Sequence, residues 1–132
     1  MVACAAALAT IGVYEDDRLI ERARQMGAVM AARLADLAAR HPSVGAVRSI
    51  GLFGIVELIR NRATREPMAP FNGSAPEMAA LGKFFRQEGL YTFVRWNTFF
   101  TNPPLTITEA ELDEGFAIID RGLAACDAAV QG

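Results

Sequence analysis

The chain has 132 residues, a net charge of −2, 52% hydrophobic and 21% charged residues, which fits one domain and not two ordinary ones. That balance excludes an intrinsically disordered chain, and 11 Gly, 6 Pro and 2 Cys exclude a collagen-like or disulfide-stapled one. With no basic excess to neutralise phosphates, nucleic acid is not an expected partner.

Val2 to Val13, VACAAALATIGV, is an almost unbroken apolar run. It is shorter than the ~20 residues that span a membrane, and no Lys or Arg precedes it as the charged start of a signal peptide. Its alanines and Leu8 favour a helix, and a helix apolar on all sides belongs inside a larger structure. No capping residue stands before it, so the chain is expected to begin within an element of something larger. Asp16 and Asp17 are expected to start a second helix. Its apolar face runs Leu19, Ile20, Ala23, Met26, Gly27, Met30, Leu34, Leu37, Ala38 at helical spacing. The pair His41-Pro42 ends it, with His41 expected as a solvated turn residue and Ser43-Val44-Gly45 as a turn.

The period then changes. Val47 to Ile50 reads as a short strand and Leu52 to Ile59 as a longer one, with Gly51 and Gly54 marking a bulge or close backbone approach. Arg60 to Gly73 is a polar connection whose Arg60, Arg62 and Arg65 suit either an anion patch or, preferably, a solvated loop. Ser74 is expected to open a third helix with Glu77 as its capping-box partner, Pro76 in the first turn and Gly89 as the stop. Met78, Leu81 and Phe85 share its inner face and Lys83 points to solvent. Leu90 to Trp96 and Phe99 to Thr101 read as strands around a turn at Asn97. Thr108 with Glu111 forms a capping box for a last helix that buries Leu112, Phe116, Ile119 and Leu123. The order is α, α, β, β, α, β, β, α, an α+β layer structure with a small antiparallel or mixed sheet covered by helices.

Chemistry is sparse. One His, one Lys and no GxSxG, CxxC or HExxH pattern occur, which leaves no catalytic triad and no metal site. No phosphate-loop pattern occurs either. Glu111, Asp113 and Glu114 are accounted for by the helix dipole. Lys83 would need burial to form a Schiff base, and its expected position is exposed. Cys4 and Cys126 are expected to be free, buried and reduced, which fits a cytoplasmic protein. Arg95 stands apart as the one charge between Leu90 and Thr108. Its guanidinium either forks onto a ligand carboxylate or pairs locally with a Glu or the Trp96 ring on an exposed strand end.

Three stretches resemble the C-terminal segment of a class III (ω-) aminotransferase. They are VACAAALATIGVYEDD, the pattern Arg48, Gly51, Leu52, Gly54 within HPSVGAVRSIGLFGIVELI, and NPPLTITEAELDEGFAIIDRGL. The RATREPMAP loop and the FVRWNTFFTNPPL run look most like the taurine–pyruvate branch. The resemblance implies a pyridoxal-phosphate enzyme of the aspartate-aminotransferase fold, transferring an amino group between an amino donor and a keto acid. It implies that residues 1–15 end an interdomain helix and residues 16–132 form the small C-terminal domain. The Schiff-base lysine, the Asp facing the pyridine nitrogen and the phosphate loop would lie in a large domain upstream, and the parent would be a homodimer. No cofactor-binding or catalytic residue then maps onto this chain, which would be inactive alone. Arg95 takes the place of a substrate-carboxylate arginine before Pro103-Pro104-Leu105. The position of a second arginine, used in an ornithine-type branch, is Phe100 here. The rival expectation is a non-enzymatic α+β binding or dimerisation module.

Overall fold

A computed structural model describes residues 1–131; residue 132, the last of the expected small domain, lies outside the described residues. The element order is α1 (Val2–Asp16), α2 (Leu19–Arg40), β1 (Val44–Ile50), β2 (Phe53–Leu58), α3 (Pro76–Gln87), β3 (Val94–Arg95), β4 (Thr98–Thr101) and α4 (Glu109–Asp127). This is the expected α+β order. The four strands form one sheet in the order β1-β2-β4-β3, and every neighbouring pair is antiparallel.

One face of the sheet is the core. Val56, Leu58 and Phe99 are fully buried there against Met30, Leu34 and Leu37 of α2, Leu81 and Phe85 of α3, and Leu123 of α4. Each such side chain contributes ~1.5–3 kcal/mol by leaving water. The hairpin between β1 and β2 turns on Gly51, whose φ is +54°, a conformation that glycine adopts without steric cost. A Cβ added to Gly27 of α2 would come within 2.6 Å of the Gly51 Cα, so these two glycines let helix and turn touch backbone to backbone. The Arg48, Gly51, Leu52, Gly54 pattern is this hairpin.

Several boundaries differ from expectation. Asp16 and Asp17 close α1, and α2 starts after Arg18 at φ +48° without a side-chain cap. Ile20 is exposed on the outer side of α2. Val44 and Gly45 belong to β1, with a register irregularity between Val44 and Ala46. Ala75, not Ser74, caps α3, and no capping box forms; Glu77 faces Arg60 at 3.1 Å instead. The α3 stop is as expected. Gly89 has φ +85°, its N–H donates to the Arg86 carbonyl, and the Leu90 N–H reaches back to Phe85 at 2.8 Å, the paired bonds of a glycine-terminated helix. The strand expected from Leu90 shrinks to Val94–Arg95. The Thr108–Glu111 capping box on α4 is present in both directions, and the expected inner face of α4 is buried.

α1 carries no buried residue at all, although most of it is apolar. No helix among the described residues is long and apolar enough to cross a membrane.

Candidate functional site

The second face of the sheet is partly open. Cross-strand rows place Arg48, Ile55 and Phe100 together, with Ile50 and Phe53 beside them. Phe100 stacks on Phe93 at 5.1 Å and lies 5.5 Å from Phe53. The next row is Glu57, Thr98 and Arg95. Glu57 is taken by Arg48 in an ion pair. Arg95 is exposed on the edge strand β3 and makes no ion pair with the described residues. Its Cζ sits 4.4 Å from the centre of the Trp96 ring, close enough for cation–π attraction. The local contact with the Trp96 ring is therefore present, and no carboxylate among the described residues claims the N–H edge of the guanidinium.

Trp96 holds the tight turn between β3 and β4 with φ +53°, uncommon for a bulky residue. Asn97 fixes that turn to the end of β2: its carbonyl accepts from the Leu58 N–H at 2.7 Å and its Nδ2 donates to the Leu58 carbonyl at 3.2 Å. Phe71, from the long connection before α3, packs against Trp96 in a tilted contact, with ring centroids 4.4 Å apart and planes at 50°. On the other side of Phe100 a half-open cleft of about 210 Å³ is lined by Thr92, Pro103, Pro104, Ile107 and Phe116 among others.

His41 departs from expectation. It is buried, with Nδ1 2.6 Å from Asp127 Oδ2 and Nε2 2.8 Å from Asp120 Oδ1. Asp127 also accepts from the Ser43 hydroxyl at 2.6 Å and the Ser43 N–H at 3.1 Å. Ser43 donates to the carboxylate and not to His41, so no nucleophile is activated. The two carboxylates face different ring nitrogens, and no group of three His, Cys, Asp or Glu among the described residues could hold a metal ion. The hydrogen bond from His41, and next the one from Arg40, hold the Asp120 carboxyl below the usual carboxylate range. The cluster ties the end of α2 and the start of β1 to the end of α4. Asp120 and Asp127 lie two turns apart on one helix face, the one sequence signal that pointed to this partnership.

The loop arginines are structural. Arg60 binds Glu77 and the Met68 carbonyl, Arg62 the Pro42 carbonyl and Arg65 the Gly45 carbonyl. They staple the connection to its neighbours and form no anion patch, while residues 62–67 stay exposed, as expected of a solvated loop. Cys126 is buried but Cys4 is exposed, and both are free. Lys83 is exposed on α3. It is the only lysine, and no buried polar side-chain atom among the described residues lacks a partner. A pyridoxal-phosphate site needs a shielded lysine and unspent donors for the phosphate, and this chain's own residues do not fit that group.

An antiparallel α+β layer of this kind is the fold seen within solved pyridoxal-phosphate transaminases. The taurine:2-oxoglutarate aminotransferase of Bifidobacterium kashiwanohense, solved in complex with PLP and glutamate, matches with a TM-score of 0.89 and 30% identity, over 96% of this chain and 28% of that one. The ω-transferase of Vibrio fluvialis JS17 matches with a TM-score of 0.85 and 28% identity, over 96% and 29%. The family model for class-III aminotransferases covers residues 1–123, and the chain belongs to that family. Taurine–pyruvate aminotransferase of Bilophila wadsworthia is 38% identical over 123 residues, 89% of this chain and 26% of the relative. The 5-aminovalerate aminotransferase of Pseudomonas aeruginosa is 32% identical over 121 residues, 89% and 27%. The chain thus spans about a quarter of the length of the curated relatives it matches.

Proposed function

We propose that these residues serve as the small domain of a pyridoxal-phosphate-dependent aminotransferase that moves an amino group between an amino donor and a keto acid. Residues 1–15 would end the helix joining it to an upstream cofactor domain, and residues 16–132 would form the domain itself. The whole enzyme would be a cytoplasmic homodimer. Pyridoxal phosphate, held outside this span, supplies the electron sink for such chemistry. The chain's own part is to wall the substrate pocket and to present Arg95 to the substrate carboxylate. The observation that carries this reading is the family match across residues 1–123; the exposed guanidinium of Arg95, unpaired among the described residues, supports its role.

The test has two arms. The uninterrupted reading frame, expressed whole, should take up pyridoxal phosphate with its visible absorbance and transfer an amino group to a keto acid such as pyruvate. Residues 1–132 alone should do neither, and borohydride reduction with pyridoxal phosphate should leave Lys83 without stoichiometric label. A whole protein that neither binds the cofactor nor turns over would make this a binding or dimerisation module.

A further inference from the structure

We propose that Trp96, braced by Phe71, is the positioning residue for Arg95: the indole holds the guanidinium flat and leaves its in-plane N–H edge free for a carboxylate. The inference rests on the reading of Arg95 as the carboxylate receptor and adds two residues from separate segments to that site.

Five observations converge. Trp96 occupies a left-handed turn position at φ +53°, where Asn or Gly would fit with less strain. The indole buys nothing in the core, since it is only half-buried. Its direction is set by the turn, because Asn97 is fastened to Leu58 through both its carbonyl and its side chain. Phe71 is 75% exposed and yet packs against the Trp96 ring in a tilted contact at 4.4 Å; its flanking residues hold it there through the Gly73 N–H bond to the Pro70 carbonyl at 2.9 Å. Finally, the carboxylate on Arg95's own row of the sheet, Glu57, is occupied by Arg48.

A long arginine side chain on an edge strand loses much rotamer freedom when it binds. Resting it on an indole removes part of that loss beforehand. Stacking on the ring face also leaves the guanidinium plane open at its rim, where a carboxylate accepts two parallel hydrogen bonds. The ligand class is therefore a small carboxylate approaching along the plane of the Trp96 ring.

Trp96 is the sole tryptophan, so its emission reports this site. The chain is titrated with pyruvate and with uncharged acetone while Trp96 emission and the Arg95 side-chain NMR signal, assigned by its loss in Arg95→Ala, are followed. Pyruvate should shift both and acetone neither. In Trp96→Leu the Arg95 signal should move to the position of freely solvated arginines. Pyruvate affinity, read by NMR, should fall about two- to fivefold in Trp96→Leu and in Phe71→Leu, the range of an exposed cation–π contact. Trp96→Tyr should restore it. Phe71 is exposed, so Phe71→Leu should keep the melting temperature and serve where Trp96→Leu does not fold. If Arg95→Ala abolishes pyruvate binding while Trp96→Leu and Phe71→Leu leave affinity and the Arg95 signal unchanged, the positioning role is overturned and the carboxylate reading stands. If Arg95→Ala leaves pyruvate binding intact, both fall.

Discussion

Arg95 and Cys126 show how differently a side chain behaves at the rim and in the core. On the proposed reading of Arg95, removing the guanidinium from the whole enzyme would remove one partner of a charge-assisted hydrogen bond to the substrate, worth ~1.5–3 kcal/mol or about tenfold to a hundredfold in binding. Arg95→Ala should raise KM for the keto acid by that factor and change kcat less. Arg95→Lys should recover only part, because an ammonium cannot form the planar fork. An amine without a carboxylate should be indifferent to either change. Equal weakening of carboxylate and non-carboxylate substrates would make Arg95 structural. For Cys126, burial first, then the negative charges of Asp127 and Glu77, pushes the thiol pKa up to about 12. A thiolate is the reactive form, so an alkylating reagent at neutral pH should label exposed Cys4 quickly and Cys126 only after unfolding. Two equally fast sites in the native chain would contradict the burial of α4's inner face.

The pair α2 and α4 is laced along its length. Arg33 binds Asp113 at 2.7 Å, Arg40 binds Asp120, and Arg22 donates to the carbonyls of Leu105, Thr106 and Ile107, the last at 2.6 Å. The pH dependence follows from the carboxylates. Asp113 is held below its ordinary range by the Arg33 hydrogen bond, Glu111 by the Thr108 backbone and side chain, and Asp120 by His41. A carboxyl depressed in the folded state stabilises that state above its unfolded pKa and stops doing so as pH falls through the folded value. Stability should therefore be flat above the ordinary carboxylate range and decline through it into acid. Asp120→Asn should shallow that decline in urea titrations at stepped pH; an unchanged slope would mean Asp120 is equally acidic in both states. Much of this architecture is legible in sequence. The 3.6-residue spacing on α2 and α4 and the Thr108–Glu111 pair are local patterns whose meaning does not depend on distant residues. The lacing is not legible, because His41 meets Asp120 and Asp127 across 79 and 86 residues of sequence and nothing near His-Pro announces a buried partner. Ser74 and Asp17 are likewise plausible caps by residue type alone, and the tertiary path of the chain overrode both. At the candidate site, the lone charge of Arg95 could be read from composition. The Phe71–Trp96 contact could not, since it joins a loop to a turn.

At the scale of the molecule, the chain exposes apolar surface on two sides. Val2, Leu8, Ile11 and Val13 of α1 are all half or more exposed, and Ile50, Phe53 and Phe93 lie open on or beside the sheet's second face. An isolated helix of 15 residues is marginal in water even when rich in alanine. With no buried residue to hold it, α1 should exchange its amide protons much faster than α2, whose Met30, Leu34 and Leu37 lock it to the sheet. Contiguous apolar patches beyond a few hundred Å² mark surfaces that bind other surfaces. The 132-residue chain should therefore self-associate as its concentration rises, and should bind a hydrophobic dye. Placing charge on the helix, as in Leu8→Glu with Ile11→Glu, should reduce both effects while leaving the melting temperature of the α2–α4 core unchanged, since neither residue touches that core. Sedimentation velocity over a wide concentration range is the deciding measurement. A sharp monomer at the highest concentration, with no dye bound, would mean that α1 folds back onto the open sheet face in solution and covers both patches at once.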